Sequence, residues 1–278
     1  LGKLVAFMSG QTRPVWEFED IGDWWTRANP DGIAPIVAVP TTAGTGSEVG
    51  RAGVLTNSET RVKKIIFHPR ILPHTVIADP TLTVGMPPAI TAGTGMDAFA
   101  HCLEAYCSPH FHPMSAGIAL EGLRIVDTYL PRACADGNDL EARAQMLAAG
   151  AMGAVAFQKG LGAIHALSHP VGAVYGTHHG TTNAVVMPAV LRFNRPAIER
   201  RLARAAAYLG IDGGFDGFAA RVDALIAQVG LPRGLAALGV EPARIPELTA
   251  MALDDPSVGG NPVTMTAENT ARLYRDAL

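Results

Sequence analysis

A break in texture at Gly85-Met86-Pro87-Pro88 narrows the architectures open to this chain. Before it, short apolar runs alternate with turn residues. Pro35-Ile36-Val37-Ala38-Val39-Pro40 is a brief apolar run bounded by prolines and predicts a buried strand. Residues 51–56 and 63–67 predict two more strands, joined by the polar turn Asn57-Ser58-Glu59-Thr60. Thr75-Val76-Ile77-Ala78 predicts another, closed by Asp79-Pro80. The opening residues read as a helix with no strand before it. After the break, Ala/Leu-rich segments of helical period take over at 116–129, 140–156, 183–191, 196–209 and 218–228, with Pro131, Pro188, Pro196, Pro232, Pro242 and Pro246 between or beside them. The expected fold class is α/β plus all-α. Residues 1–84 form an incomplete, Rossmann-like dinucleotide-binding domain and residues 85–278 a helical, metal-binding and catalytic domain.

Composition removes several function classes. Hydrophobic residues are 48% and charged residues 17% of the chain, enough for sizeable cores and too apolar for a disordered segment. Lys+Arg number 22 against 25 Asp+Glu, so the basic excess that neutralises phosphates is missing and nucleic acid is not an expected partner. No apolar run reaches the roughly 18 residues of a membrane span. Three cysteines, Cys102, Cys107 and Cys134, cannot all pair within one chain and form no Cys-x-x-Cys, which points to a reducing, cytoplasmic setting.

The chemistry concentrates in the helical half. Asp97 and His101 are four apart, so on a helix they share one face. His165 and His169 repeat that spacing, with Pro170 expected to bend or end their helix. His178 and His179 follow in a turn. One carboxylate and up to five imidazoles suit Fe(II) or Zn(II) better than Ca(II) or Mg(II), which prefer oxygen. Spacing alone admits His169 as a ligand. Thr41-Thr42-Ala43-Gly44-Thr45-Gly46-Ser47-Glu48 is a loop of small residues after a strand, open either to a phosphate or nicotinamide or to simple packing as a tight turn. Lys63-Lys64 either reach a cofactor phosphate or end a solvated strand. Trp24-Trp25 and Phe111 read as packing or lid residues.

Taken in order, these residues resemble the iron-dependent (type III) alcohol dehydrogenase family. The likeness runs from Pro40-Thr41-Thr42-Ala43-Gly44-Thr45-Gly46-Ser47-Glu48 through Asp79-Pro80, Gly95-Met96-Asp97-Ala98-Phe99-Ala100-His101 and Glu104-Ala105-Tyr106. It continues through His165-x3-His169-Pro170, His179-Gly180, Asn183-Ala184 and Gly259-Gly260-Asn261-Pro262. The resemblance implies a metal held by Asp97, His101, His165 and His179. It makes His169 a neighbour of the nicotinamide, acting on the proton or the ribose, and not a ligand. It places Thr41, Thr42, Gly44, Thr45, Lys63 and His169 against NAD or NADP. It also implies an upstream Gly-Gly-Gly-Ser cradle, within a region of roughly a hundred residues, that this sequence does not contain. His178 stands where the family often has Pro, and an imidazole there could compete for the ion or tune it.

The expected activity is hydride transfer between a small alcohol and NAD(P), giving an aldehyde or ketone, by a homo-oligomer. A metal-dependent hydrolase using the same Asp/His cluster is the alternative. A third expectation is a non-catalytic chain, since part of the cofactor cradle is absent. The substrate pocket is expected from residues 151–157 and the Gly259 region.

Overall fold

The computed structural model describes residues 1–59 and 62–278. Its first third is organised by one small apolar cluster. Helix α1 (Gly2–Met8) buries Leu4 and Phe7 with Phe18, Ile36, Ile66 and Ile71, and Phe7 meets Phe18 edge-on at 5.0 Å. Strand β1 (Val37–Ala38) is only two residues long, and Val37 is 60% exposed. The buried strand expected over 35–40 therefore does not form. Pro35 and Pro40 have no N–H to give a ladder, so only the middle of the run can pair. Strands β2 (Ala52–Asn57) and β3 (Val62–Phe67) pair antiparallel, Ala52 opposite Phe67 and Thr56 opposite Lys63. The turn expected between them extends to Thr60, outside the described residues. Strand β4 (Thr75–Val76) is shorter than expected and lies parallel to β1.

The helical part is built around α2 (Pro88–Cys107). Between Thr91 and Cys107 nearly every residue is buried, and such a helix is stable only with neighbours on all sides. Those neighbours are α3 (Pro113–Ala135), α4 (Leu140–Ala156) and α6 (His179–Leu209), with α5 (Ala163–Tyr175) crossing nearby. Helix α7 (Gly214–Gln228) packs on α6, and α8 (Ile245–Leu253) and α9 (Ala267–Asp276) close the fold against α5 and α6. Helix α4 has its expected bounds. Asp139 caps it by accepting a hydrogen bond from the Ala142 N–H at 3.0 Å.

One expectation from proline fails here. Segments 183–191 and 196–209 are a single helix that passes through Pro188 and Pro196. Of the bend or end expected at Pro170, the end does not occur, and helix α5 continues to Tyr175. An interior proline costs about 3 kcal/mol. Burying a Val, Ile, Leu or Met returns about 1.5–3 kcal/mol each, and α6 buries Val185, Val186, Met187, Val190, Leu191, Ile198 and Leu202. Packing outweighs the break. Among the described residues no single helix is long and apolar enough to cross a membrane.

Candidate metal centre and cofactor loop

Three helices deliver the expected ligand residues to one place. Asp97 and His101 lie one turn apart on α2, His165 sits in the first turn of α5, and His179 opens α6. The crossing of α2 and α6 is unusually close. A Cβ on Gly180 would overlap the Gly93 carbonyl oxygen and also approach Asp97. Only glycine at 180 lets His179 come so near to Asp97. From Asp97 Oδ1, the Nε2 atoms of His179, His101 and His165 lie at 3.3, 3.6 and 3.7 Å. The donor atoms of Asp97, His101 and His165 all fall within 4.8 Å of one another.

These spacings fit an ion. Two donors each about 2.1 Å from a shared tetrahedral ion lie about 3.4 Å apart. The Asn183 amide nitrogen donates to Asp97 Oδ1 at 2.8 Å and stands 3.2 and 3.3 Å from Nε2 of His179 and His165. Among the described residues, Asn183 Oδ1 and the Nδ1 atoms of His101 and His179 are buried without a hydrogen-bond partner. Polar atoms left so are costly unless something else orients the rings.

The electrostatics agree. Burial alone would raise the Asp97 carboxyl, but the surrounding imidazoles outweigh it and hold the group below the ordinary carboxylate range. Burial pushes His101 down to about 4, against the pull of Asp97. For His165 burial is outweighed by Glu104 and Asp97, which push it up to about 9. The chemistry is a buried anionic oxygen facing three imidazoles, of which His165 gives up its Nε2 proton when a divalent ion binds.

His165 is tied by residues that spacing could not find. Its Nδ1 hydrogen-bonds Glu104 Oε2, and Glu104 Oε1 accepts the Ile164 N–H at 2.6 Å. The neighbouring Ala163 N–H goes to Asn261 Oδ1 at 3.1 Å, and Asn261 exchanges two amide hydrogen bonds with Asn194 of α6. Glu104 and Asn261 lay inside the motifs of the resemblance, but sequence gave them no role. His169 stands beside the group. Its Nδ1 bonds Asp255 Oδ2 at 2.7 Å, and its ring stacks on His179 at 5.1 Å. Asp255 was not singled out from sequence. His178 is exposed and accepts the Thr181 N–H at 3.3 Å as the cap of α6, so its Nδ1 is engaged in starting the helix.

The loop after β1 is pressed onto the same helices. Gly44 is buried against Thr94 of α2, and Gly46 has φ +60 where a Cβ would collide with Gly150 and Ala154 of α4. Thr41, Thr42 and Thr45 remain exposed, and Thr42 and Thr45 line a wide cleft. Phe157, Gln158, Pro256 and Ser257 line it too, and the Phe157 ring lies 4.9 Å from His101. Lys63 is enclosed, which lowers its pKa, while Asp255 and Asp97 act on it in the other direction. Lys64 instead pairs with Glu19 at 3.0 Å. Trp25 packs edge-on against Phe67 at 6.2 Å, in line with a packing role.

Two family descriptions match the chain. Residues 1–80 match "Iron-containing alcohol dehydrogenase" and residues 91–278 match "Fe-containing alcohol dehydrogenase family, C-terminal". A 4-hydroxybutyrate dehydrogenase of Cupriavidus necator is 43% identical over 258 residues, spanning 89% of this chain and 67% of that protein. An NAD-dependent methanol dehydrogenase of Bacillus methanolicus is 39% identical over 254 residues, spanning 88% and 67%. The crystal structure of a 1,3-propanediol oxidoreductase superposes with a TM-score of 0.93 at 37% identity, covering 100% of this chain and 73% of that one.

Proposed function

Because this chain belongs to the iron-containing alcohol dehydrogenase family, we propose that Asp97, His101, His165 and His179 hold one divalent ion at the edge of the cleft. The protein is an oxidoreductase that moves a hydride between an alcohol and a nicotinamide. The convergence of Asp97 Oδ1 and three imidazole Nε2 atoms carries the assignment of the site. When bound, the ion supplies Lewis acidity toward the substrate oxygen and NAD or NADP supplies the hydride acceptor. Iron and zinc both suit the donor set.

The chain's own groups divide the remaining work. Thr42 and Thr45 offer hydroxyls to the cofactor from the cleft wall, Thr41 and Gly44 flank them in the same loop, and Lys63 offers a cation from β3. His169 is the catalytic proton carrier. With Nδ1–H given to Asp255, its Nε2 is the free nitrogen that takes and returns a proton. Phe157 narrows the cleft beside His101, which favours a small primary alcohol or diol. Relatives named for 4-hydroxybutyrate and methanol support that class. The hydrolase alternative finds no support, since these relatives are dehydrogenases and water activation leaves the threonine loop idle.

The same reading divides the chain at residues 1–84 and 85–278. Support comes from the two family descriptions, which end at 80 and resume at 91, and from two separate apolar clusters. It also has the protein acting in the cytoplasm, as a homo-oligomer, with its three cysteines free. The test is elemental analysis joined to nicotinamide absorbance with short alcohols. His165→Ala should retain a cooperative melt but neither metal nor turnover. Full turnover by that variant with metal removed would refute the assignment.

A further inference from the structure

Glu104 is buried at the end of α2's inner face and uses both carboxylate oxygens. One oxygen accepts the Ile164 N–H, an amide in the first turn of α5 that has no partner within its own helix. The other holds Nδ1 of His165. The α5 cap position is Gly162, which has no side chain to do this work, and a Cβ there would press on Glu104 Oε1 and Asn261 Oδ1. Glu104 therefore fixes two things at once: the height of α5 and the orientation of the ring that α5 carries.

We propose that Glu104 is the positioning residue of the metal centre, selecting the His165 form that carries hydrogen on Nδ1 and presents its Nε2 lone pair to the ion. The inference rests on the ligand set proposed above. Its chemistry is a matter of acceptors. Two N–H groups converge on Glu104, and a carboxylate offers one oxygen to each. A glutamine has one oxygen and one NH2. If the oxygen stays with Ile164, the NH2 faces Nδ1 and demands a lone pair there. Hydrogen then moves to Nε2, and the ring can no longer bind through that atom. If the amide turns over, the Ile164 N–H is left facing a donor in a buried place. Neither orientation satisfies both groups. Partners of this kind typically change metal affinity by about 10- to 100-fold.

The test uses the full chain loaded with zinc, which is diamagnetic. Chelator competition should show Glu104→Gln binding zinc about 10- to 100-fold more weakly than wild type. Nitrogen-edited NMR of the zinc-loaded wild type should show His165 bound through Nε2, with a slowly exchanging, far-downfield Nδ1–H. That proton should shift or vanish in the variant. Coordination through Nδ1, or absence of the proton in wild type, overturns the proposal even if Glu104→Gln does not fold. Equal zinc affinity in a folded Glu104→Gln overturns it while leaving the ligand set intact. If His165→Ala holds zinc as tightly as wild type, the ligand set itself falls and this inference falls with it.

Discussion

Gly180→Ala asks whether the α2–α6 crossing is what brings Asp97 and His179 together. The added methyl would overlap the Gly93 carbonyl oxygen, a backbone atom that cannot rotate away. The crossing must open by roughly 1 Å to relieve it, and overpacking of this kind costs about 1–3 kcal/mol. Alanine's better helix propensity returns up to about 1 kcal/mol, so the net loss of stability is at most about 3 kcal/mol. For a chain of this size that lowers the melting temperature by no more than about 12 °C. Metal binding should suffer more. The 3.3 Å spacing of Asp97 Oδ1 and His179 Nε2 already lies near the separation one ion can bridge, and metal sites hold their ligand distances to about 0.2 Å, so an opening of about 1 Å takes His179 out of reach and zinc affinity should fall by about tenfold or more. Zinc competition and thermal melting on the same samples separate the two effects. Gly117→Ala on α3 is the control. Among the described residues nothing lies within 4 Å of a Cβ there, so it should gain a little stability and keep its zinc affinity. If Gly180→Ala binds zinc like wild type, the crossing does not set the site.

Two other perturbations test separate parts of the structure. Asp255→Asn should lower kcat by about tenfold or more, since the carboxylate oxygen that holds His169 Nδ1 is replaced while the amide oxygen can still accept the Ser257 N–H; an unchanged kcat would remove His169 from that role. His68 is buried and its Nδ1 accepts the Arg70 N–H, so enclosure and the Arg70 charge hold its pKa below the usual 6.5. The unfolded chain then binds more protons than the folded one. The resulting stability is complete above about pH 6.5 and is lost as pH falls toward the folded pKa. His68→Gln should flatten the fall in melting temperature below pH 6.5, and an unaltered slope would show that His68 does not contribute.

The sequence disclosed periodic features far better than converging ones. Helix α4 follows from an Ala/Leu pattern and an Asp139 cap, both local. Asp97 and His101 share a face because four residues make about one turn. The prolines misled for the same local reason. The cost of Pro188 and Pro196 is visible in sequence, but the partners that bury Val186 and Leu202 are not. The apolar run at 35–40 misled in the opposite sense, being apolar yet short of partners. Glu104 and Asp255 meet their histidines only through the tertiary fold, at separations of 61 residues for Glu104–His165 and 86 for Asp255–His169. Asn183 was the nearest to being readable, four positions after His179 on the same helix face.

The Asn194–Asn261 pair has a consequence for how this protein can change. It links the middle of α6 to the segment that grips the start of α5, so the histidines on those two helices share one mechanical frame. A drift at either asparagine would reach His165 through the Ala163 N–H without touching the cleft wall. The lining at Phe157, Gln158 and Ser257 thus has room to vary for a new alcohol, while a change in the amide brace behind it strands a buried polar group.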